Sequence, residues 1–330
     1  MRYCVGIIGY GYWSPILLRN FLRHEGFYVK WVCDRNVERR ESAKTQSGTV
    51  QVTDNPSDLL LDNSIDVVVI ATQASTHFTL CREALLHGKH VFIEKPLALS
   101  FAEAEELCRM SEMTRRTVFV DHTWLFSGGY RKLREVLQSG SLGKILRINS
   151  RRCDFGLFQR DANVVWHLMY HDVYLLNDLL GSAPLQVQAN GTSAVLPGVI
   201  DGACATLSYP GGIQANVLCD MYYPEKVREL IAQCERGILV WNEMQQDRLC
   251  VVNRYAASDP STGGVNYYGD GARASLPVDE KETLSIVLDE LYKKISDSSL
   301  GNCRGALQTV KTIEMLNRSL IKAENDSTFI

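Results

Sequence analysis

The chain has 330 residues, with 35 Lys and Arg against 38 Asp and Glu, for a formal net charge of −3. Hydrophobic residues make up 45% and charged residues 22%, the balance of a globular chain long enough for about two domains, each with its own core. Such a charge gives no electrostatic reason to expect nucleic acid or an anionic membrane surface as partner. No stretch approaches the ~18 to 20 uninterrupted apolar residues of a membrane span.

Residues 3–9 (YCVGIIG) form an apolar run bounded by glycine, which predicts a buried parallel strand. Ile16, Leu17 and Phe21 then carry helical spacing over 15–21, and 29–33 reads as a second strand ending at Asp34. The run 66–71 (DVVVIA) is the clearest buried strand, followed by a helix at 78–87, a strand at 90–94, a helix at 100–114 and a strand at 117–121. This alternation predicts an α/β first domain, residues 1–121, with a parallel sheet covered by helices on both faces.

From residue 122 the pattern changes. A helix is expected at 130–138, a strand at 144–153 and an apolar helix at 164–180. GACATLSY and QANVLCDM alternate with period two, as strands buried on one side do. Residues 122–330 are therefore expected to form an α+β domain with an open, mostly antiparallel sheet. Residues 255–275 read as a turn-rich loop or flap, 280–322 as a final helical region, and the last eight residues as a frayed tail. The N-terminal MRYCVGIIGYGYW lacks the apolar core and cleavage site of a secretory signal. The ten cysteines include no CxxC pair and sit mostly in apolar runs, so the expectation is a cytoplasmic protein with reduced cysteines.

Gly9-Tyr10-Gly11-Tyr12-Trp13-Ser14 follows a strand and opens a helix. In a dinucleotide-binding turn the first glycine allows the tight bend, and the second lets the backbone approach a pyrophosphate at the helix N-terminus. Asp34, 23 residues after Gly11, stands where an acid would accept both ribose hydroxyls and repel a 2′-phosphate, which favours NAD. The competing role for Asp34 is to cap the following helix. Arg35 could stack on adenine or accept a 2′-phosphate, so NADP stays open.

ATQASTH at 71–77, Glu94-Lys95-Pro96 within EKPLALS, DHTWLFS, GSLGKI and GLFQRDANVVWHLMYHDVYLLNDLLG at 156–181 carry a more specific likeness. Through them the chain resembles the glucose–fructose oxidoreductase / inositol dehydrogenase / rhizopine-catabolism (Gfo/Idh/MocA) family over nearly its whole length. The resemblance implies a Rossmann domain that binds NAD along the glycine turn (Gly9, Gly11, Tyr12, Trp13) and Asp34. Ala71 and Thr72 then line the nicotinamide side, with His77 in the adjoining loop and Glu94 just before the lysine as further cofactor-binding residues. It matches Lys95 to the lysine that touches cofactor and substrate hydroxyl, and His171 to the histidine of the family's active-site helix. It also implies a homodimer or homotetramer through the second domain's sheet. GLFQRDANV resembles the branch acting at C3 of nucleotide-linked sugars.

These residue types suit the chemistry. Oxidising a secondary alcohol sends hydride to the nicotinamide and requires removal of the hydroxyl proton, for which a partly desolvated lysine and a histidine titrating near neutrality are apt. Two positions depart from the family pattern: His167 stands where Asp is usual, and Tyr170 where Pro is frequent. In an α-helix His167 and His171 would share one face, so His167 could transfer a proton, bind an anionic group, or mark weakened catalysis. HxxxH without a third ligand leaves no metal expected. Arg151, Gln159, Arg160 and Asn163 are candidate substrate ligands, each weighed against a charged surface loop. Tyr170 either offers its phenol or packs beside Trp166. The leading reading is an NAD-dependent sugar oxidoreductase, with an inositol or polyol dehydrogenase as alternative. A non-catalytic dinucleotide-bound regulator is the rival from another class, favoured by the missing Asp and opposed by Lys95 and His171.

Overall fold

The first strand is apolar on both sides because it lies in the middle of a parallel sheet. The structure, a computed structural model, describes residues 2–156, 158 and 162–326, with side chains through residue 320. It divides into two units, one of residues up to Phe126 together with Lys281–Val310, the other of Ser127–Glu280 with the residues from Lys311 onward.

In the first unit β1 (Tyr3–Ile8), α1 (Ser14–Arg23), β2 (Phe27–Cys33), α2 (Val37–Gln46), β3 (Gln51–Thr53), α3 (Ser57–Leu60), β4 (Val67–Ile70), α4 (His77–Leu86), β5 (His90–Ile93), α5 (Phe101–Thr114) and β6 (Val118–Val120) follow in order. The six strands are parallel, in the order β3-β2-β1-β4-β5-β6. The order reverses between β1 and β4, the switch point at which such sheets bind ligands beyond their carboxyl ends. Every residue of β4 and β5 is buried, as strands covered by helices on both faces must be. Phe21, Phe27 and Phe92 meet edge to face at 5.3 and 5.8 Å in the core between α1 and the sheet.

The second unit contains α6 (Gly128–Gln138), β7 (Ile145–Phe155), a π-helical turn (Val165–Met169) running into α7 (Tyr170–Leu180), then β8 (Gln186–Thr192), β9 (Gly202–Ser208), β10 (Gln214–Asp220), β11 (Tyr222–Cys234), β12 (Gly237–Asn242), β13 (Leu249–Val252), β14 (Tyr255–Ser258), β15 (Val265–Tyr268) and β16 (Arg273–Ser275). Its eight-stranded sheet runs β16-β13-β12-β11-β7-β10-β9-β8. It is mostly antiparallel, with one parallel pair, β7 and β10. Burial alternates along β9, β10 and β12, so one face is packed and the other open. The loop expected at 255–275 is in fact a hairpin of β14 and β15, with the Tyr255 and Tyr268 rings stacked at 4.9 Å, followed by β16 at the sheet edge.

The chain then returns. The helical region expected at 280–322 is two helices, α8 (Thr283–Ser296) and α9 (Cys303–Asp326). Leu284, Val287, Leu288, Leu291 and Ile295 of α8 join the core built on β1 and α1, so one boundary after residue 121 does not describe the division. Between the helices Gly301 has φ +81°, and a Cβ there would lie 2.3 Å from the Val118 carbonyl oxygen. Asn302 next to it accepts the Val120 N–H at 2.7 Å and donates to the Val120 carbonyl at 2.8 Å, which covers the open edge of β6. The expectation of reduced cysteines is corrected at one pair: Cys108 and Cys303 are joined by a disulfide linking α5 to α9 across 195 residues. No spacing rule reaches that far, and burial at the helix–helix contact brings the two together.

Two buried histidines set a pH dependence. His90 accepts the Thr117 N–H at 3.1 Å, and burial together with the Arg116 charge pushes its pKa down to about 4; burial pushes His122 down to about 3. Both rings are neutral in the fold and gain a proton more readily in the unfolded chain, near ~6.5. Their stabilisation is complete above that value and is lost as pH falls toward 4. For His90 alone the loss reaches about 3 kcal/mol. Urea midpoints measured from pH 7 to 4.5 should fall with pH, and His90→Asn, which keeps an acceptor for Thr117, should flatten the decline.

Candidate active site

Gly9 ends β1 with φ +94°, and a Cβ on it would sit 2.5 Å from the Ala71 carbonyl oxygen, so only glycine fits where β1 leaves the sheet beside β4. Its N–H bonds the Cys33 carbonyl at 2.8 Å. Gly11 has no neighbour within 4 Å of its Cβ position. Helix α1 begins here with no side-chain cap, Pro15 in its first turn, and the Ser14 hydroxyl buried without a partner. Asp34 ends β2 and points back at this turn, its Oδ2 accepting the Tyr10 N–H at 2.7 Å and its Oδ1 the Asn36 N–H at 2.8 Å. The cap of α2 is Asn36, which accepts the Arg39 N–H at 3.0 Å, so the competing role for Asp34 is already filled. Arg39 approaches Asp34 at 3.7 Å, while Arg35 and Tyr12 are exposed and Trp13 half-buried.

At the neighbouring strand ends the structure brings Ala71, Thr72, His77, Glu94 and Lys95 together. His77 is buried, with Nδ1 2.6 Å from the Pro96 carbonyl and Nε2 3.2 Å from the Thr72 carbonyl. Burial pushes its pKa down, and the nearby Lys95 charge adds to the effect. A neutral imidazole has one N–H, and the shorter contact assigns it to Pro96. His77 therefore ties the segment after β5, including half-buried Lys95, to the start of α4 through that one bond, while the unprotonated Nε2 only faces the Thr72 carbonyl. Asp121, after β6, was missed in the sequence although an acid directly following a three-residue apolar strand was a visible signal. It is 2% exposed and accepts the Thr123 hydroxyl at 2.7 Å.

In the second unit the side chains sort by sheet face. Ile148, Ser150 and Arg152 of β7 face the helices, and the exposed Arg151 faces the open side, where it pairs with Glu229 at 2.7 and 2.9 Å. Arg151, a candidate substrate ligand, thus lies on the face away from α7. Arg152 takes the inner position instead. It donates to Asp172 at 2.7 Å, Ser150 donates to the same carboxylate at 2.6 Å, and all three residues are buried. Burial lowers the Arg152 pKa, but the adjacent Asp172 carboxylate outweighs it and the guanidinium stays charged. This pair anchors the first turn of α7 and the residue before Asp172, His171, whose Nδ1 is 3.2 Å from the Tyr174 hydroxyl.

Three further expectations change. Asn163 is a cap: its Oδ1 accepts the Val165 and Trp166 N–H groups, and its amide donates to Asn317 at 2.6 Å. Tyr170 is fully buried in an aromatic row, 6.5 Å from Trp166 and 6.0 Å from Tyr174, so packing accounts for it. His167 lies in the π-helical turn, so the α-helical spacing that would place it directly over His171 does not hold there. Gln159 and Arg160 lie outside the described residues.

A doubly wound parallel sheet with a glycine turn after β1, an acid after β2 and a lysine after β5 defines a dinucleotide-binding oxidoreductase domain. Residues 3–122 match the oxidoreductase family, NAD-binding Rossmann fold (GFO/IDH/MocA), and residues 130–240 match the GFO/IDH/MocA C-terminal domain; the chain belongs to this family. A curated relative, UDP-N-acetylglucosamine 3-dehydrogenase of Acidithiobacillus ferrooxidans, is 28% identical over 225 residues, covering 68% of this chain and 69% of that protein. Myo-inositol 2-dehydrogenase of Thermotoga maritima is 24% identical over 218 residues, 63% of this chain and 65% of the relative. The solved structure of the Acidithiobacillus ferrooxidans enzyme superposes with a TM-score of 0.82 at 21% identity, covering 97% and 98% of the two chains.

The first unit fits NAD on its own geometry. Open space at Gly11 admits a pyrophosphate, the uncapped α1 N-terminus and the unpartnered Ser14 hydroxyl supply donors, and Asp34 retains lone pairs for ribose hydroxyls. The two glycines should separate fold from binding. Gly9→Ala should lower the thermal midpoint, costing about 1–3 kcal/mol in backbone strain alone. Gly11→Ala should leave that midpoint unchanged and weaken NADH binding by about tenfold or more in a fluorescence titration.

Proposed function

We propose that the protein is an NAD-dependent oxidoreductase moving hydride between nicotinamide and a secondary alcohol or ketone of a sugar, with a nucleotide-linked sugar as substrate and C3 as the position. The observation that carries this reading is the EKP lysine, half-buried at the end of β5 and held there by His77. The likeness to a UDP-N-acetylglucosamine 3-dehydrogenase supports the choice of sugar. The likeness to a myo-inositol 2-dehydrogenase keeps a free polyol as the second reading.

When bound, NAD supplies the hydride acceptor. Lys95 donates a hydrogen bond to the substrate oxygen and favours its alkoxide character during oxidation. His171 moves the proton. Its Nδ1 contact is with the Tyr174 hydroxyl, a phenol that can accept an N–H. With Nδ1–H donating to Tyr174, Nε2 is a base for oxidation. For reduction the ring is the imidazolium, with Nδ1–H still donating to Tyr174 and Nε2–H giving its proton to the substrate oxygen, which leaves the neutral base. The buried Arg152–Asp172 pair holds the helical turn that carries this ring.

Turnover is followed by NADH absorbance over a panel of nucleotide sugars, their 3-keto forms and free inositols. Lys95→Met and His171→Phe should each lower kcat by about 100-fold or more with NADH affinity retained. NAD binding without turnover on any of the panel would favour the regulator. His167→Asp and His167→Ala should alter the pH–rate profile if that ring shares in proton transfer, and identical profiles remove it from the chemistry.

We also assign the open sheet face to a second copy of the chain. A shallow groove of about 380 Å³ crosses it, lined by Asn149, Arg151, Gln188, Cys204, Thr206 and Asn216 among others, and Asn216 bridges Thr206 and Asn149 at 3.0 and 3.2 Å. Asn216→Arg places an unpaired charge in this row. Sedimentation should then show a smaller species than the wild type, while the thermal midpoint of the monomer fold is retained.

A further inference from the structure

Two carboxyl groups at the strand ends of the first unit have no part in the proton transfers above. Glu94 follows β5 and Asp121 follows β6. The Glu94 N–H bonds the Ile70 carbonyl at 2.9 Å and the Asp121 N–H bonds the Ile93 carbonyl at 2.8 Å, so the two residues stand side by side where neighbouring parallel strands leave the sheet. The two carboxyl groups act on each other electrostatically, and Asp121 also accepts the Thr123 hydroxyl at 2.7 Å. One oxygen of each, Glu94 Oε1 and Asp121 Oδ2, is buried with no donor of its own.

Two carboxylate anions cannot supply each other with a donor, because each only accepts. A single proton between them gives one a donor and leaves one charge for the pair. The surroundings fit that count. Burial raises the pKa of both groups and their mutual repulsion raises Glu94 further, whereas Lys95 is the neighbouring cation that pulls Glu94 down. His77 and His122, the titratable rings packed nearby, have depressed pKa values and stay neutral.

The pair also has a defined place in a dinucleotide-binding sheet. The strands on the β4–β6 side of the switch point form the mononucleotide half that receives the nicotinamide. The nicotinamide ring is cationic when oxidised and neutral when reduced, so a fixed charge at this end acts on one form only.

We propose that Glu94 and Asp121 hold one shared proton and present a single fixed negative charge to the nicotinamide end of the site, which makes the protein bind NAD⁺ more tightly relative to NADH than an uncharged pair would. The inference rests on dinucleotide binding and not on the identity of the sugar, so it is tested by binding alone. Glu94→Gln leaves Asp121 ionised beside an amide donor, and Asp121→Asn does the same for Glu94. Each single variant therefore keeps one charge, and the double variant keeps none.

Titration with NAD⁺ and with NADH should give similar affinity ratios for the wild type and both single variants. The double variant should shift the ratio on the order of tenfold toward NADH, the size expected for one unit charge in a partly screened site. A purely structural role would weaken both forms alike. Infrared spectra of the protein without dinucleotide add a second readout that does not need the double variant to fold. The carbonyl stretch of a protonated carboxylic acid should be present in the wild type and lost in either single variant. An unshifted ratio in the double variant, a shift already present in the single variants, or absence of the acid band in the wild type each overturns the proposal. If neither dinucleotide form binds any of the proteins, the cofactor reading falls with it.

Discussion

Strands that run parallel and are hydrogen-bonded on both sides must all release their chains along one edge of the sheet, and the chemistry of the first unit rests on that constraint. β1 is paired with β2 and β4, and its residues from Cys4 onward are buried, so the chain can leave it only by a bend tighter than any side chain allows. Gly9 makes that bend against the Ala71 carbonyl. The segment after β5 then stands within reach of the imidazole at the start of α4, and His77 bonds it through the Pro96 carbonyl. Asp34, Lys95 and Asp121 are brought to the same edge by the strands they follow, each at a different distance in sequence from the glycine turn.

Burial creates a charge problem that the two units resolve differently. In the first, groups lose charge: His77, His90 and His122 are neutral, and the carboxyls of Glu94 and Asp121 are both pushed toward their acid forms. In the second, charge is kept by pairing. Arg152 and Asp172 are almost fully buried, and the guanidinium keeps its charge beside the carboxylate, which also accepts from Ser150. Neutral groups can change protonation as a reaction proceeds, while a buried ion pair resists change and suits the anchoring of a helix. The distribution therefore separates a unit whose buried titratable groups are pushed toward neutrality from one that anchors a helix with a buried pair.

Much of this was legible in the residues. The strands at 3–8, 67–70 and 90–93 are short, apolar and bounded by glycine, acid or lysine, and their boundaries in the fold fall within a residue or two of those read from the sequence. The elements that escaped lack an apolar signature. β3 has three residues, and the β14–β15 hairpin is nearly all exposed, so burial leaves no period to read. The return of α8 to the first unit was hidden for a different reason. Its apolar stripe declares a helix that packs, but a stripe does not say against which sheet.

The site residues show how finely a local pattern decides a role. Arg151 and Arg152 are adjacent and chemically identical, yet the two-residue period of β7 sends one to the open face and the other to Asp172 beneath His171. Read as types, either could recognise an anion. Read by face, Arg152 is consumed in holding the helix and Arg151 belongs to the surface across the sheet. The same reasoning alters His167. Taken on an α-helix, histidine at this position replaces a carboxylate one turn before His171, and the exchange looks like a loss of function. The π-helical turn from Val165 to Met169 inserts extra backbone into that interval, and such wide turns recur where a site needs a side chain re-aimed. His167 therefore sits in a helix start whose geometry differs from the α-helical spacing that its sequence position suggests.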